Sequence, residues 1–338
     1  MIDFCREHDI RFEICGKVIV ATSDAELSRL KALHQRGRDN HIDCELIDRN
    51  QLRALEPHVE GVAGLHVRDT GIVDYVQVCE VLHTTIVAAR ATVHLNQKVM
   101  AIEHERQGFH IITANRSFRT RRLINCAGLY SDRIARLVDG EQIGRARDLQ
   151  IIPFRGEYFK LKPWAQHLCK HLIYPVPDPR FPFLGVHFTR MVDGSIECGP
   201  NAVLAMGRES YHKTDIHLKE TLECLMFPGF TRLSARHWRM GLGELHRSWS
   251  KSAFVKNLQK LIPAIEADAI EPAPAGIRAQ AVGRSGKLVD DFVIRRSGNS
   301  IHVLNAPSPA ATAALSIGKM IAGEALNPKF ADGSGDLC

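Results

Sequence analysis

The residues of this chain best suited to chemistry lie near its C-terminal end. Arg278 stands in the run 276–281, GIRAQA. An arginine set among small residues ahead of a turn offers a planar fork of donors that matches a carboxylate. A structural ion pair is the other use of the same group. Residues 301–318, IHVLNAPSPAATAALSIG, read as an apolar strand, a proline-bracketed turn and a helix opening on Ala, Thr and Ser. Such an opening leaves backbone N–H groups and the positive end of the helix uncovered. A bulky, flat heterocycle that turns anionic on reduction suits it; a buried helix packed through small residues is the bland alternative. His187 falls on a predicted hairpin strand, and histidine is the side chain whose pKa suits proton transfer near neutrality. With 17 histidines in the chain, a packed or surface role is equally open. The run 153–159, PFRGEYF, puts Arg155 and Glu157 on one strand face and Phe154 and Tyr158 on the other. That face is either the floor of a site or the seat of an Arg–Glu pair.

These residues need elements to hold them. Residues 15–23, CGKVIVATS, read as a strand. Residues 24–38 read as a helix, with Leu27, Leu30 and Leu33 at helical spacing and Ser23 or Asp24 as cap. Residues 46–55 predict a short strand and the start of a helix, and 71–89 predict GIVDY followed by a helix. A strand meander is expected over 93–127, turning at Asn115-Arg116 and running out into Ala127 and Gly128, with Ser131 or Asp132 capping the next helix. Strands are expected over 149–161 and 172–177, and a hairpin over 183–190 and 195–199 around Val192-Asp193-Gly194. Helices follow over 217–227 and 254–261, with fraying after Ala325. The interleaving predicts α/β plus antiparallel β: a parallel nucleotide-binding portion into which an antiparallel substrate sheet is inserted.

Bulk properties narrow the class. The 338 residues suffice for one large or two medium domains, and the 45% hydrophobic and 24% charged fractions are those of a soluble globular chain. The net charge of +6 is spread thinly. Its densest cluster, RTRR at 119–122, has no interleaved aromatics, which argues against nucleic acid. The mild basicity favours an anionic substrate or an acidic membrane surface. Nine scattered cysteines with no C-x-x-C pair read as reduced thiols of a cytoplasmic protein. No stretch reaches the ~18–20 apolar residues of a membrane span, so membrane contact is expected to be peripheral. No spacing of His, Cys, Asp or Glu suggests a metal, and GRSGK at 283–287 lacks the P-loop spacing.

CGKVIVATS, GIVDY, NCAGLYSD, PFRGEYF, LIYPVPDP, PFLGVHFTR, GPNAV, GIRAQA and NAPSPAATAAL together resemble the L-2-hydroxyglutarate dehydrogenase/oxidase family. That family sits among the FAD-dependent oxidoreductases of the D-amino-acid-oxidase type. The resemblance spans about residues 4–318. It implies an incomplete Rossmann-like FAD-binding domain over 61–150 and 276–330, interleaved with a substrate domain over 11–60 and 151–275. It places Val99, Ala127, Gly128, Gly276, Asn305, Pro307, Ser308, Ala310, Ala311 and Thr312 around FAD. His187, Tyr174 and Arg278 become the catalytic candidates, and Arg155, Tyr158 and Arg278 the contacts to a small dicarboxylate. A hydroxy acid is oxidised by loss of its hydroxyl proton as hydride moves to the flavin, and the resemblance implies a quinone or O2 as the final acceptor. One departure stands out: the sequence contains no G-x-G-x-x-G, the turn that cradles the FAD pyrophosphate. A start placed about 70 residues into the family's length accounts for that, by a mis-chosen Met1 or a true truncation. On either account weak FAD retention is expected. A non-catalytic remnant and a glycine-oxidase-like amine oxidase are the competing readings.

Overall fold

The computed structural model describes residues 1–140, 148–178 and 185–327, and the backbone of 335–336. Its centre is a nine-stranded sheet. From one edge the order is Val203–Leu204, Leu149–Leu161, Ile196–Gly199, His187–Arg190, Leu172–Pro175, Lys17–Ala21, Ala63–Val67 and Cys44–Asp48. Ile270–Gly283 pairs with nearly all of Leu149–Leu161. Every pairing is antiparallel except that of Leu172–Pro175 with Lys17–Ala21.

Alternation along these strands decides which side chains reach the site. Val18, Val20, Ile173 and Phe188 are buried against Phe254 and Leu258 on one face. Lys17, Tyr174 and His187 therefore turn to the other face. Phe254 and Leu258 come from the helix Lys251–Leu258, whose first turn is capped by the Ser250 hydroxyl accepting from the Ala253 amide.

Beside the large sheet, Leu123–Asn125 pairs in parallel with Ser300–Asn305, which pairs in turn with Val293–Ser297. Among the described residues this parallel pair is what the structure contains of the expected Rossmann-like sheet. The meander Val99–Glu105, Gly108–Thr113 and Ser117–Thr120 forms a sheet of its own. The expected boundary at 275/276 falls inside the strand Ile270–Gly283, and Ala63–Val67 is hydrogen-bonded within the large sheet.

Several local expectations differ from the structure. The hairpin His187–Arg190 and Ile196–Gly199 turns where expected, with Gly194 at φ +82°; Phe183 and Leu184 lie outside the described residues. Ser23 and Asp24 do not cap Leu27–Asp39, because a 3-10 turn, Asp24–Glu26, precedes it and the Glu26 carboxylate takes the Thr22 amide. Neither Ser131 nor Asp132 caps Ser131–Asp139. The long helix Pro228–Trp249 has no counterpart among the expected elements. Its glycines and many arginines hide it, and it is kinked at His237 (φ −118°, ψ 21°).

Candidate active site

The large sheet gathers several expected site residues into one row. His187 pairs with Gly199, and the Ile173–Phe188 pair sets Tyr174 beside His187. One step along the register that pairs Phe159 with Cys198, Tyr158 lies opposite Gly199. Gly199 has φ +142°, and a Cβ there would stand 3.1 Å from Tyr158 Cδ1. The bare backbone is what gives the Tyr158 ring its room. The Tyr174 and His187 rings stack at 4.1 Å, inclined by 18°. Lys17 Nζ lies 5.4 Å from the centre of the Tyr174 ring. Arg278 pairs with Phe154 on the adjoining ladder, and its charge acts on both His187 and Tyr174. Lys17 was missed in the sequence. The available signal was its phase: it is out of step with the core positions Val18 and Val20.

Burial decides the protonation of this cluster. His187 donates Nδ1–H to the Gly185 carbonyl at 2.9 Å, a tautomer inferred from the carbonyl partner, which leaves Nε2 as an acceptor. Burial pushes the His187 pKa down to about 4; the Gly185 bond opposes this, and the charges of Arg278 and Lys17 add to it. Burial likewise raises the Tyr174 phenol and lowers the Lys17 ammonium.

Arg155 departs from its expected role as a substrate contact. Its Nη2 donates to Glu157 Oε1 at 2.9 Å and its Nη1 to the His212 carbonyl at 3.0 Å. Asn201 Nδ2 and the Ser248 hydroxyl also donate to Glu157, both at 2.8 Å. The guanidinium is thus spent on a buried pair, as burying either charge requires. Gly156 does not leave space over its strand either, since a Cβ there would meet Pro200 Cβ at 2.9 Å.

Three of the stretches expected around the cofactor approach one another beside one apolar cluster. Leu129, Ala279 and Leu304 pack with Ile151 and Ala281, which draws together the Ala127–Gly128 turn, the Gly276–Arg278 stretch and the end of Ser300–Asn305. Asn125 holds the turn: its Oδ1 accepts from the Ala127 amide, and its Nδ2 donates to the Ser131 carbonyl at 2.8 Å and to His302 Nδ1 at 3.0 Å. Val99 packs in the neighbouring cluster with Leu123 and Val138. The Asn305 Nδ2 donates to the carbonyls of Val289 and Asp291, so this side chain shapes the loop. Ala310–Ala313 forms a 3-10 turn, in which the Ala310 and Thr312 amides are spent on the carbonyls of Pro307 and Pro309. Those two donors are corrected from free to internally bonded. Ser308, Ala311 and Thr312 are exposed.

A buried ion pair that the sequence did not suggest braces this region. Arg208 Nη1 and Nη2 reach the two Asp132 oxygens at 2.6 and 2.9 Å, with side chains 2% and 1% exposed. Tyr130, two residues before Asp132, lies under the Arg133 and Arg208 guanidiniums and donates to Glu209; burial first, then that bond, push its phenol up to about 12.

The ring end of a flavin fits these residues. A Cβ at Gly276 would meet only Tyr158 Cε2, at 4.0 Å, and a Cβ at Gly128 (φ +52°) nothing within 4 Å. Both positions leave backbone open to a flat ligand. Among the described residues no group of side chains could hold a metal ion.

A family model described as FAD dependent oxidoreductase matches residues 2–324. The chain is 48% identical to L-2-hydroxyglutarate dehydrogenase of Indibacter alkaliphilus, over 94% of this chain and 79% of that protein. It is 42% identical to the Escherichia coli K12 enzyme of that name (94% and 74%) and 40% identical to the human mitochondrial one (96% and 73%). Among solved structures, FAD-bound, dithionite-reduced L-alpha-glycerophosphate oxidase from Mycoplasma pneumoniae matches with a TM-score of 0.72 and 21% identity, over 97% of this chain and 75% of that one. Glycine oxidase from Bacillus cereus matches at 0.63 and 14%, over 98% and 79%. At those identities the likeness is one of fold. The chain belongs to the FAD-dependent oxidoreductases and, within that class, to the family of the L-2-hydroxyglutarate dehydrogenases.

Proposed function

We propose that this chain oxidises L-2-hydroxyglutarate to 2-oxoglutarate. The observation that carries the reading is a pair of cations, Arg278 and Lys17, acting on one buried neutral histidine stacked on a tyrosine. Two cations suit a substrate with two carboxylates.

Bound FAD supplies the hydride-accepting ring. Gly276, Ala127, Gly128 and the backbone of Ser308 and Ala311 are the residues that would hold it, with the small side chains of Pro307, Ala310 and Thr312 leaving it room, Asn305 shaping their loop and Val99 nearer the adenine end. Arg278 and Lys17 bind the substrate carboxylates, and Tyr158 and Tyr174 wall the hydroxy-acid carbon. His187 Nε2 accepts the hydroxyl proton. The charges of Arg278 and Lys17 oppose that protonation. A substrate carboxylate beside them would offset that opposition and raise the proton affinity of His187. A quinone or O2 takes the electrons onward. A cytoplasmic chain in peripheral contact with a membrane is the setting we propose.

Steady-state kinetics on the FAD-loaded protein test the clamp. Arg278→Ala should raise KM for L-2-hydroxyglutarate, since a charge-assisted contact is worth ~1.5–3 kcal/mol. Lys17→Met should raise KM for the dicarboxylate and leave that for 2-hydroxybutyrate unchanged. Unaltered KM values in both variants, or faster turnover of glycine than of any hydroxy acid, would overturn the reading.

A further inference from the structure

Behind the Ala127–Gly128 turn lies a run of buried polar groups that the substrate site does not use. Leu123–Asn125 and Ser300–Asn305 pair in parallel, and their register sets Asn125 beside His302. Both are sealed from water, 3% and 1% exposed, and Ser300 is fully buried. Each donor in such a place needs an acceptor, which settles where the protons lie.

The Ser300 hydroxyl donates to the Ser297 carbonyl at 2.7 Å. Its single proton is thereby used, and toward His302 Nε2, 2.9 Å away, it acts as an acceptor. His302 therefore carries its proton on Nε2 and leaves Nδ1 bare, a tautomer inferred from its partners. Nδ1 takes one N–H of the Asn125 amide at 3.0 Å, and the Ser131 carbonyl takes the other at 2.8 Å. A flipped amide would set Oδ1 against that carbonyl and the bare Nδ1. The Asn125 Oδ1 is thus aimed at the Ala127 amide, 3.1 Å away. One side chain holds the turn at both ends, Ala127 and Ser131. Between them Gly128 sits at φ +52° with open space where a Cβ would be.

We infer that His302 is the positioning residue for this turn: its neutral imidazole orients Asn125 so that the Ala127–Gly128 backbone is presented to FAD. This role rests on the placing of FAD at that turn under the function proposed above. A charged imidazole would reverse it, since Nδ1–H would face the Asn125 N–H groups. Burial favours the neutral ring, and Asp139 of the helix Ser131–Asp139 acts the other way. Asp139 also accepts from the Ser297 hydroxyl at 2.8 Å. On the same helix Asp132 is paired with Arg136 and Arg208. Arg295 is the register partner of His302 on Val293–Ser297, and Ile270–Gly283 meets this strand through Ala279 and Ala281. The turn should therefore be held at neutral pH and loosen only below the ordinary 6.5 of histidine.

Nitrogen-15 NMR of the histidine-labelled full chain reads this without FAD or turnover, with His302 assigned by its absence from the His302→Asn variant. The ring should be neutral at pH 7, with its proton on Nε2. A proton on Nδ1, or a charged ring, would overturn the proposal. Two variants then separate positioning from packing. Asparagine sets Oδ1 near the place of Nδ1, so His302→Asn keeps the acceptor that His302→Leu removes. In His302→Leu the Ala127 amide should exchange with solvent about tenfold faster or more, and FAD titration should show binding weakened about as much, since buried N–H groups lose their partner. The Ile173 amide of the large sheet should keep its rate, and His302→Asn should stay close to the unaltered chain in both readouts. Equal effects of the two variants, or faster exchange at Ile173 as well, would make His302 a packing residue and overturn the proposal. Unchanged exchange at Ala127 would overturn it and leave the hydroxy-acid reading standing. Faster exchange with unchanged FAD affinity would overturn it through the other half, the placing of FAD at this turn.

Discussion

At the scale of single residues, His187 is the group whose state the fold controls most tightly. Its pKa of about 4 lies below the ordinary 6.5 of histidine. The sign follows from linkage: the unfolded chain binds this proton more readily. The contribution of neutral His187 is therefore full above about pH 6.5 and is lost as the pH falls toward 4. A shift of that size corresponds to roughly 3 kcal/mol. His187→Phe should flatten the acid limb of stability in that window, as read by urea melts from pH 4 to 7; an identical pH profile would show that the imidazole is not held neutral. Gly276 gives a complementary test. Its absent side chain borders only Tyr158 Cε2, so Gly276→Ala should leave the melting temperature unchanged while FAD titration shows weaker binding. A fall in both would make Gly276 a packing residue. Arg155 shows how a motif misleads at this scale. It was legible as chemistry in PFRGEYF, but Glu157 beside it offered the same guanidinium a buried partner.

At the scale of elements, the Asp132–Arg208 pair ties the helix Ser131–Asp139 to the segment before Leu218–Leu225. Asp132 Oδ2 also accepts from the Ile151 amide at 3.3 Å, which links the helix to the long strand. Removing one partner would strand a buried charge. Asp132→Asn or Arg208→Met alone should cost ~3–5 kcal/mol in chemical denaturation, and the double apolar replacement distinctly less than either. Equal or additive losses would mean that the two charges act separately. The strands were legible because their alternation is strong: Val18 and Val20 against Lys17, Phe188 against His187. The caps were less legible. Ser131 and Asp132 have the chemistry of N-caps, yet Asp132 is taken by an arginine 76 residues away. The helix Pro228–Trp249 escaped notice because it is apolar on two sides, cavity and exterior, which blurs the periodicity of a one-faced helix.

At the scale of the whole molecule, the large sheet carries the face we propose for the substrate, and the Ala127–Gly128 turn and the end of Ser300–Asn305 pack beside it. By itself the sequence determined the family and, with it, the cofactor class, through the motifs that resemble the L-2-hydroxyglutarate dehydrogenases. Local patterns supplied the candidates for the site: small residues at a helix opening, an arginine two residues after a glycine, alternating strands. Only the tertiary structure decided which of those residues work together. Tyr158, His187 and Tyr174 meet because strands distant along the chain pair in one register, and Lys17 joins them through a single parallel contact. Register is a long-range property, set by how the sheet buries its other face, and no local spacing encodes it.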